Sequence, residues 1–148
     1  MKGFSLIELI LVLALVAIVS ALTIPFVQSF QVSADLTTYS ANIALTLQRA
    51  QQQAMAGQDD SSWGVYFDNS SRQFILFRGD SFAGRDQTYD QVTSYPEIFS
   101  LGTDFGSEIS FAIFSGEPSA SSTVTITSRN DGTKKIFINS LGLIQVRS

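Results

Sequence analysis

The chain has 148 residues, 45% of them apolar and only 15% charged, with 9 cations against 13 anions for a formal net charge of −4. That length corresponds to about one domain, and the complete lack of Cys and His excludes a disulfide scaffold, a thiolate metal site, a thiol nucleophile and the usual general base. An acidic balance also argues against a chain that coats nucleic acid, whose electrostatic footprint is a strongly basic domain.

The apolar excess is concentrated at the N-terminus, because residues 1–56 carry only Lys2, Glu8, Asp35 and Arg49 among the charged side chains. From Leu9 to Ala34 there is no charge, and Phe4 to Ile24 reads FSLIELILVLALVAIVSALTI. At about 1.5 Å per residue the helix from Phe4 to Pro25 is about 33 Å long, which matches a hydrocarbon core of roughly 30 Å. Lys2 on the short N-terminal side predicts that this end stays cytoplasmic and the remainder is exported. A secretory signal peptide is the competing reading, but its positive region would be two residues and its apolar core too long. Glu8 is the discordant residue, since an ionised carboxylate in a membrane helix costs roughly 2.5–3.5 kcal/mol. It either snorkels to the interface or has a partner.

Met1-Lys2-Gly3 followed by Phe4-Ser5-Leu6-Ile7-Glu8 resembles the type III signal of the type IV pilin and pseudopilin superfamily. The resemblance implies that a membrane peptidase cuts after Gly3 and N-methylates Phe4, and that Glu8 pairs with the N-terminal amine of a neighbouring subunit during assembly. Pro25 stands where that family carries a helix-disrupting proline. Proline lacks the N–H that would bond the carbonyl of Ala21, weakening the helix there by roughly 3 kcal/mol, so a kink is expected at Pro25.

Beyond Pro25, the residues Val32, Leu36, Tyr39, Ile43, Leu47, Ala50 and Ala54 recur at steps of four and three, the spacing of one apolar stripe on a helix. Gly57 followed by Gln58-Asp59-Asp60-Ser61-Ser62 supplies a stop, so the helix is expected to run to about Ala56. Residues 57–148 read as short strands at 63–68, 72–77, 97–101, 108–115, 122–128, 134–139 and 143–147. Trp63, Val65 and Phe67, or Val124 and Ile126 between threonines, alternate as half-buried strands require. Asp68-Asn69-Ser70-Ser71, Asn130-Asp131-Gly132 and Ser140-Leu141-Gly142 are turn sequences. Nine of the twelve Phe lie in this region, which calls for two small sheets around a shared core. The stretch 79–94 reads as a long polar loop.

The expected fold is therefore α+β: a long N-terminal transmembrane and spine helix followed by a pilin-like antiparallel β head of two small sheets. Its divisions are a leader at 1–3, a transmembrane half-helix at 4–27, an amphipathic half-helix at 28–56 and the head at 57–148. Within the superfamily, Leu47-Gln48-Arg49-Ala50-Gln51-Gln52-Gln53-Ala54, Trp63-Gly64-Val65-Tyr66-Phe67-Asp68 and the terminal Ile136 to Ile144 hairpin are similar to the H-type minor pseudopilins of type II secretion and the related FimT class. That similarity implies a structural subunit of a secretion pseudopilus, with a minor pilin acting in DNA uptake or adhesion as the alternative. The implied partners are other pilin-like subunits, the prepilin peptidase, an inner-membrane assembly platform and lipid. The implied location is the bacterial inner membrane, single-pass, with the head outside the cytoplasm.

No catalytic pair, metal site or cofactor is expected. Without His or Cys, and with Lys at 2, 134 and 135 only, no nucleophile and base can be matched, and the aspartates lack the spacing of a calcium loop. Arg129, Lys134, Lys135 and Arg147 crowd the last 20 residues against the single acid Asp131. They could contact phosphates weakly, or form the solvent face of a terminal hairpin. Nucleic acid is not the expected partner.

Overall fold

A computed structural model describes residues 5–129 and 132–147, apart from the side chains of 21–29. The chain divides into two compact units, 1–34 and 35–148. Helix α1 (Leu6–Met55) begins in the first unit and ends in the second. Leader residues Gly3 and Phe4 lie outside the described residues, as does the side chain of Pro25; the helical assignment runs through position 25.

In the head unit the amphipathic stripe does what its spacing demands. Leu36, Ile43, Leu47, Ala50 and Ala54 are buried, with Ala44 and Ser40 beside them. The Ser40 hydroxyl donates to the Thr37 carbonyl at 2.8 Å, so the one buried hydroxyl of the stripe is satisfied within its own helix. The small residues Ala50 and Ala54 at the end of the stripe leave room for close approach of the head.

A 3-10 turn (Gln58–Asp60) leads into eight strands: β1 (Trp63–Asp68), β2 (Gln73–Arg78), β3 (Asp86–Ser94), β4 (Phe99–Thr103), β5 (Glu108–Phe111), β6 (Ser122–Ser128), β7 (Thr133–Ile138) and β8 (Ile144–Arg147). They form two four-stranded sheets in the orders β3-β2-β1-β5 and β4-β6-β7-β8. Every strand pair is antiparallel. Register places Trp63, Val65, Phe67, Phe74, Leu76, Ile109 and Phe111 on one face of the first sheet, and all are buried. Val124, Ile126, Ile136 and Ile138 are the buried face of the second sheet. Tyr39 of α1 meets Phe99 of β4 with ring centroids 5.3 Å apart, so helix and sheets share one core.

Two expected elements differ. The segment 79–94 is not a loop throughout: 86–94 forms β3, the edge of the first sheet, paired to β2 with an irregularity between Leu76 and Arg78. Both faces of β3 are largely wet, so it lacks the apolar alternation by which a strand is recognised. The strand expected at 108–115 stops at Phe111, because 112–116 turns back to meet the end of α1: the Phe114 N–H donates to the Ala54 carbonyl at 2.9 Å.

The remaining part of that loop is a strap over the outer face of the first sheet. Phe82 stacks on Tyr66 at 3.8 Å and meets Phe77 edge-on at 5.7 Å. Its N–H donates to Glu108 Oε2 at 2.9 Å. Arg85 lies 3.6 Å over the Phe82 ring and pairs with Asp90 at 2.8 Å. The first sheet is thus covered on both faces, which accounts for aromatic residues that a single core would not hold. Gly64 sits under this cover, and a Cβ there would come within 2.5 Å of the Phe77 ring and 2.7 Å of the Ile109 carbonyl oxygen. Gly64→Ala should therefore lower stability by about 1–3 kcal/mol. Gly102→Ala, where a Cβ meets nothing within 4 Å, should change it by less than about 1 kcal/mol. Chemical denaturation of the full chain compares the two.

Candidate functional site

In the first unit the described residues 5–20 are all exposed. Eleven large apolar side chains between Leu6 and Val19 lie open. The polar side chain near the end of this run is satisfied locally, since Ser20 Oγ donates to the Val16 carbonyl at 2.8 Å. Glu8 lies in the first turn of α1, where the positive end of the helix dipole favours a carboxylate by about 0.3–1 kcal/mol. Leu9, Val12 and Leu13 line a shallow depression beside it. Among the described residues no helical stretch is long and apolar enough to cross a membrane; the expected span 4–27 includes Phe4 and the side chains of 21–27, which lie outside them. What is exposed is an apolar helix surface interrupted by one carboxylate.

The four cations of the C-terminal end do not form one site. Lys135 of β7 stands directly opposite Arg147 of β8, on the outer face of the second sheet with Thr125. Arg147 lies 5.3 Å over the Phe137 ring and donates from Nη2 to Gln145 Oε1 at 3.2 Å. Lys134 alternates to the face of Ile136 and Ile138, while Arg129 follows β6 and its N–H donates to the Ile98 carbonyl at 3.0 Å. The single period-2 offset between Lys134 and Lys135 separates them. Two adjacent cations would give a salt slope of only about −2 on duplex DNA.

Elsewhere among the described residues of the head no reactive groups converge. The open depression between α1 and β3, about 330 Å³, is lined by Asn42, Leu45, Thr46, Arg49 and Thr93, none of them a general base or nucleophile pair. Among the described residues no three metal-ligating side chains cluster.

The perturbed titrating groups belong to turns. Asp68 is held below its ordinary 3.8 by hydrogen bonds from Ser71, its side chain foremost, and from the Ser70 N–H; Oδ1 accepts both amides in the β1–β2 turn, at 2.9 and 3.1 Å. Asp86 is lowered by Thr88, side chain first and then N–H, with help from Arg78. Tyr95 is raised above 10.0 by burial, then by the negative charge of Asp68, and its hydroxyl donates to Asn69 Oδ1 at 3.0 Å.

Comparison with known proteins places these features. Residues 1–24 match the prokaryotic N-terminal methylation motif. The fold is similar to the minor pseudopilin EpsH of the Vibrio cholerae type II secretion system, at 14% identity and a TM-score of 0.61 over 77% of this chain and 97% of that one. A second EpsH structure gives 12% identity and 0.62 over 79% and 98%. The type IV minor pilin FimU of Pseudomonas aeruginosa gives 14% identity and 0.63 over 78% and 90%. No curated protein sequence matches the chain. The class defined by the long helix and two-sheet head is the pilin-like fold. The methylation motif covers the N-terminal 24 residues, and the rest of the likeness is one of fold.

The turn carboxylates and Tyr95 set the pH response of the head. Asp68 and Asp86, lowered on folding, contribute stability that is fully present above the unfolded carboxylate value near 3.8 and lost as pH falls through their folded values. Tyr95, raised on folding, contributes stability that is present below 10.0 and lost as pH rises beyond it. Thermal melts of the full chain should therefore be flat between about pH 5 and 9 and fall on both sides. Asp68→Asn with Asp86→Asn, which keeps the turn acceptors, should flatten the acid limb. An unchanged acid limb would assign it to other carboxylates.

Proposed function

We propose that the chain is a minor pseudopilin, a structural and non-enzymatic subunit of a type II secretion pseudopilus. In this reading the prepilin peptidase removes residues 1–3 and methylates Phe4, the apolar half of α1 anchors the subunit in the inner membrane with its N-terminus cytoplasmic, and the head lies outside the cytoplasm. The observation that carries it is the open apolar surface of residues 5–20 with its single carboxylate at Glu8, inside a methylation motif and ahead of a pilin-like head. Such a surface is stable only in lipid or against other helices of its kind.

Glu8 supplies the recognition step. Attraction between a carboxylate and an amine 4 Å apart is about 1 kcal/mol in water and about 4 kcal/mol at an effective dielectric constant of 20. A subunit entering the apolar bundle with its amine unpaired is therefore disfavoured until that amine meets the Glu8 carboxylate of a neighbour. Pro25, with its missing N–H, is a place where the helix can adjust as subunits pack. The platform that assembles the filament then needs to recognise only processed subunits.

The likeness to FimU, as close in fold as that to EpsH, favours one second reading: a minor pilin of a type IV pilus acting in adhesion or DNA uptake. Both readings predict the same processing. Mass spectrometry of the native N-terminus should find the cut between Gly3 and Phe4 and an added methyl group on Phe4. A cut near Ala21 would instead mark an ordinary signal peptide and end both. To separate them, a strain lacking this chain should retain in its periplasm proteins that the wild type exports. Normal export with loss of surface pili would move the assignment to the type IV pilus.

A further inference from the structure

The two sheets differ on their outer faces. The first is closed by the Phe82 strap, whereas the second presents a row in which Gly102 of β4, Thr125 of β6, Lys135 of β7 and Arg147 of β8 each stand opposite the next. A depression of about 390 Å³ opens over the first three of them, walled by Thr103, Asp104, Thr123 and Phe137. That volume lies in the range of small-ligand clefts. A glycine inside a strand weakens it, and such a glycine often marks a place where a ligand or another backbone comes close. Among the described residues nothing lies within 4 Å of a Cβ placed at Gly102, which leaves the ligand.

The wall beside Gly102 is fixed by hydrogen bonds. The Asp104 N–H donates to the Thr123 carbonyl at 3.3 Å, its Oδ1 accepts from the Thr123 N–H at 2.7 Å, and Thr103 Oγ1 donates to the Gly106 carbonyl. One oxygen of the only carboxylate in the lining is thus committed to backbone. Lys135 is exposed and makes no ion pair among the described residues, and Arg147 stands next to it over the Phe137 ring. The lining therefore combines threonine hydroxyls, one aromatic ring and two adjacent cations.

We propose that this depression binds an acidic oligosaccharide, a short chain of sugar rings bearing carboxylates. The hydroxyls of Thr123 and Thr125 both donate and accept, as sugar hydroxyls do. Phe137 offers apolar surface to the C–H face of a ring, and Lys135 and Arg147 pair with the carboxylates. Neighbouring strands lie about 4.8 Å apart, so the row from Gly102 to Arg147 spans about 14 Å and takes a chain rather than a single ring. A duplex nucleic acid does not fit, because its affinity comes from many phosphate contacts and this face supplies two cations on a chain of net charge −4. A neutral glycan would leave both cations unused.

The test is calorimetric titration of the full chain in detergent with a tetramer of β-1,4-linked glucuronic acid, and with cellotetraose, a β-1,4-linked glucose tetramer without the carboxylates. The acidic tetramer should bind, and cellotetraose should bind about tenfold more weakly or not at all. Gly102→Leu, which fills the depression from a position where a side chain has room, should abolish binding without lowering the melting temperature. Lys135→Ala with Arg147→Ala, both surface changes, should weaken it about tenfold, and this pair decides alone if Gly102→Leu melts early. No binding of the acidic tetramer, equal binding of the two tetramers, or binding indifferent to these substitutions would each overturn the proposal. Displacement of the bound tetramer by an equal concentration of a short oligonucleotide would overturn it in favour of a phosphate site. The depression lies within the head unit, so failure of this binding leaves the filament reading untouched.

Discussion

Everything in this molecule is organised around an apolar helix that its own chain does not cover. Eleven large apolar side chains between Leu6 and Val19 are open, and each is worth roughly 1.5–3 kcal/mol when removed from water. A sum of that order exceeds the stability of an ordinary domain, about 5–15 kcal/mol. Leaving that surface in water is therefore costly, which is the ground for the proposed lipid anchoring and subunit packing. Glu8 matters in the proposed reading, because a carboxylate in an apolar setting is costly unless an opposite charge arrives.

The head unit meets a different demand, which is to be stable on its own part of the helix. It does so by taking the stripe from Leu36 to Ala54 into a core lined by both sheets. The Phe82 strap then closes the outer face of the first sheet, with Arg85 and Asp90 pairing largely out of solvent. Leu36 and Gly132 approach closely at one end of the helix stripe, and the turns at Gly116 and Gly142 approach its other end. The pairs Arg72–Glu97, exposed, and Arg78–Asp86, part-exposed, contribute at most about 1 kcal/mol each, little beside the packing of the helix stripe.

How much of this could be read beforehand depends on whether the determining contacts are local. The helix stripe, β1 and β6 follow from periodicity, and their buried positions are those the spacing selects. Glu8 stood out because a charge in an apolar run is a local anomaly. By contrast β3 is an edge strand wet on both faces, so Asp86 to Ser94 carries no alternation and reads as loop. The strand at 108–115 ended early because the capping partner of Phe114 is Ala54, sixty residues away in the chain. The apparent basic cluster dissolved because neighbouring residues of a strand face opposite ways, which separates Lys134 from Lys135. The depression over Gly102 was illegible for the same reason as the strap: Asp104, Thr125 and Phe137 are brought together only by the fold.

The central claim is that Glu8 acts between subunits and not within the head. The direct measurement is the amount of this chain in sheared, purified filaments when Glu8→Gln replaces the wild type, with total cellular protein and N-terminal processing quantified alongside. The account predicts normal processing and normal cellular levels with the chain strongly depleted from the filament fraction. Recovery of the variant in filaments at the wild-type level would contradict it.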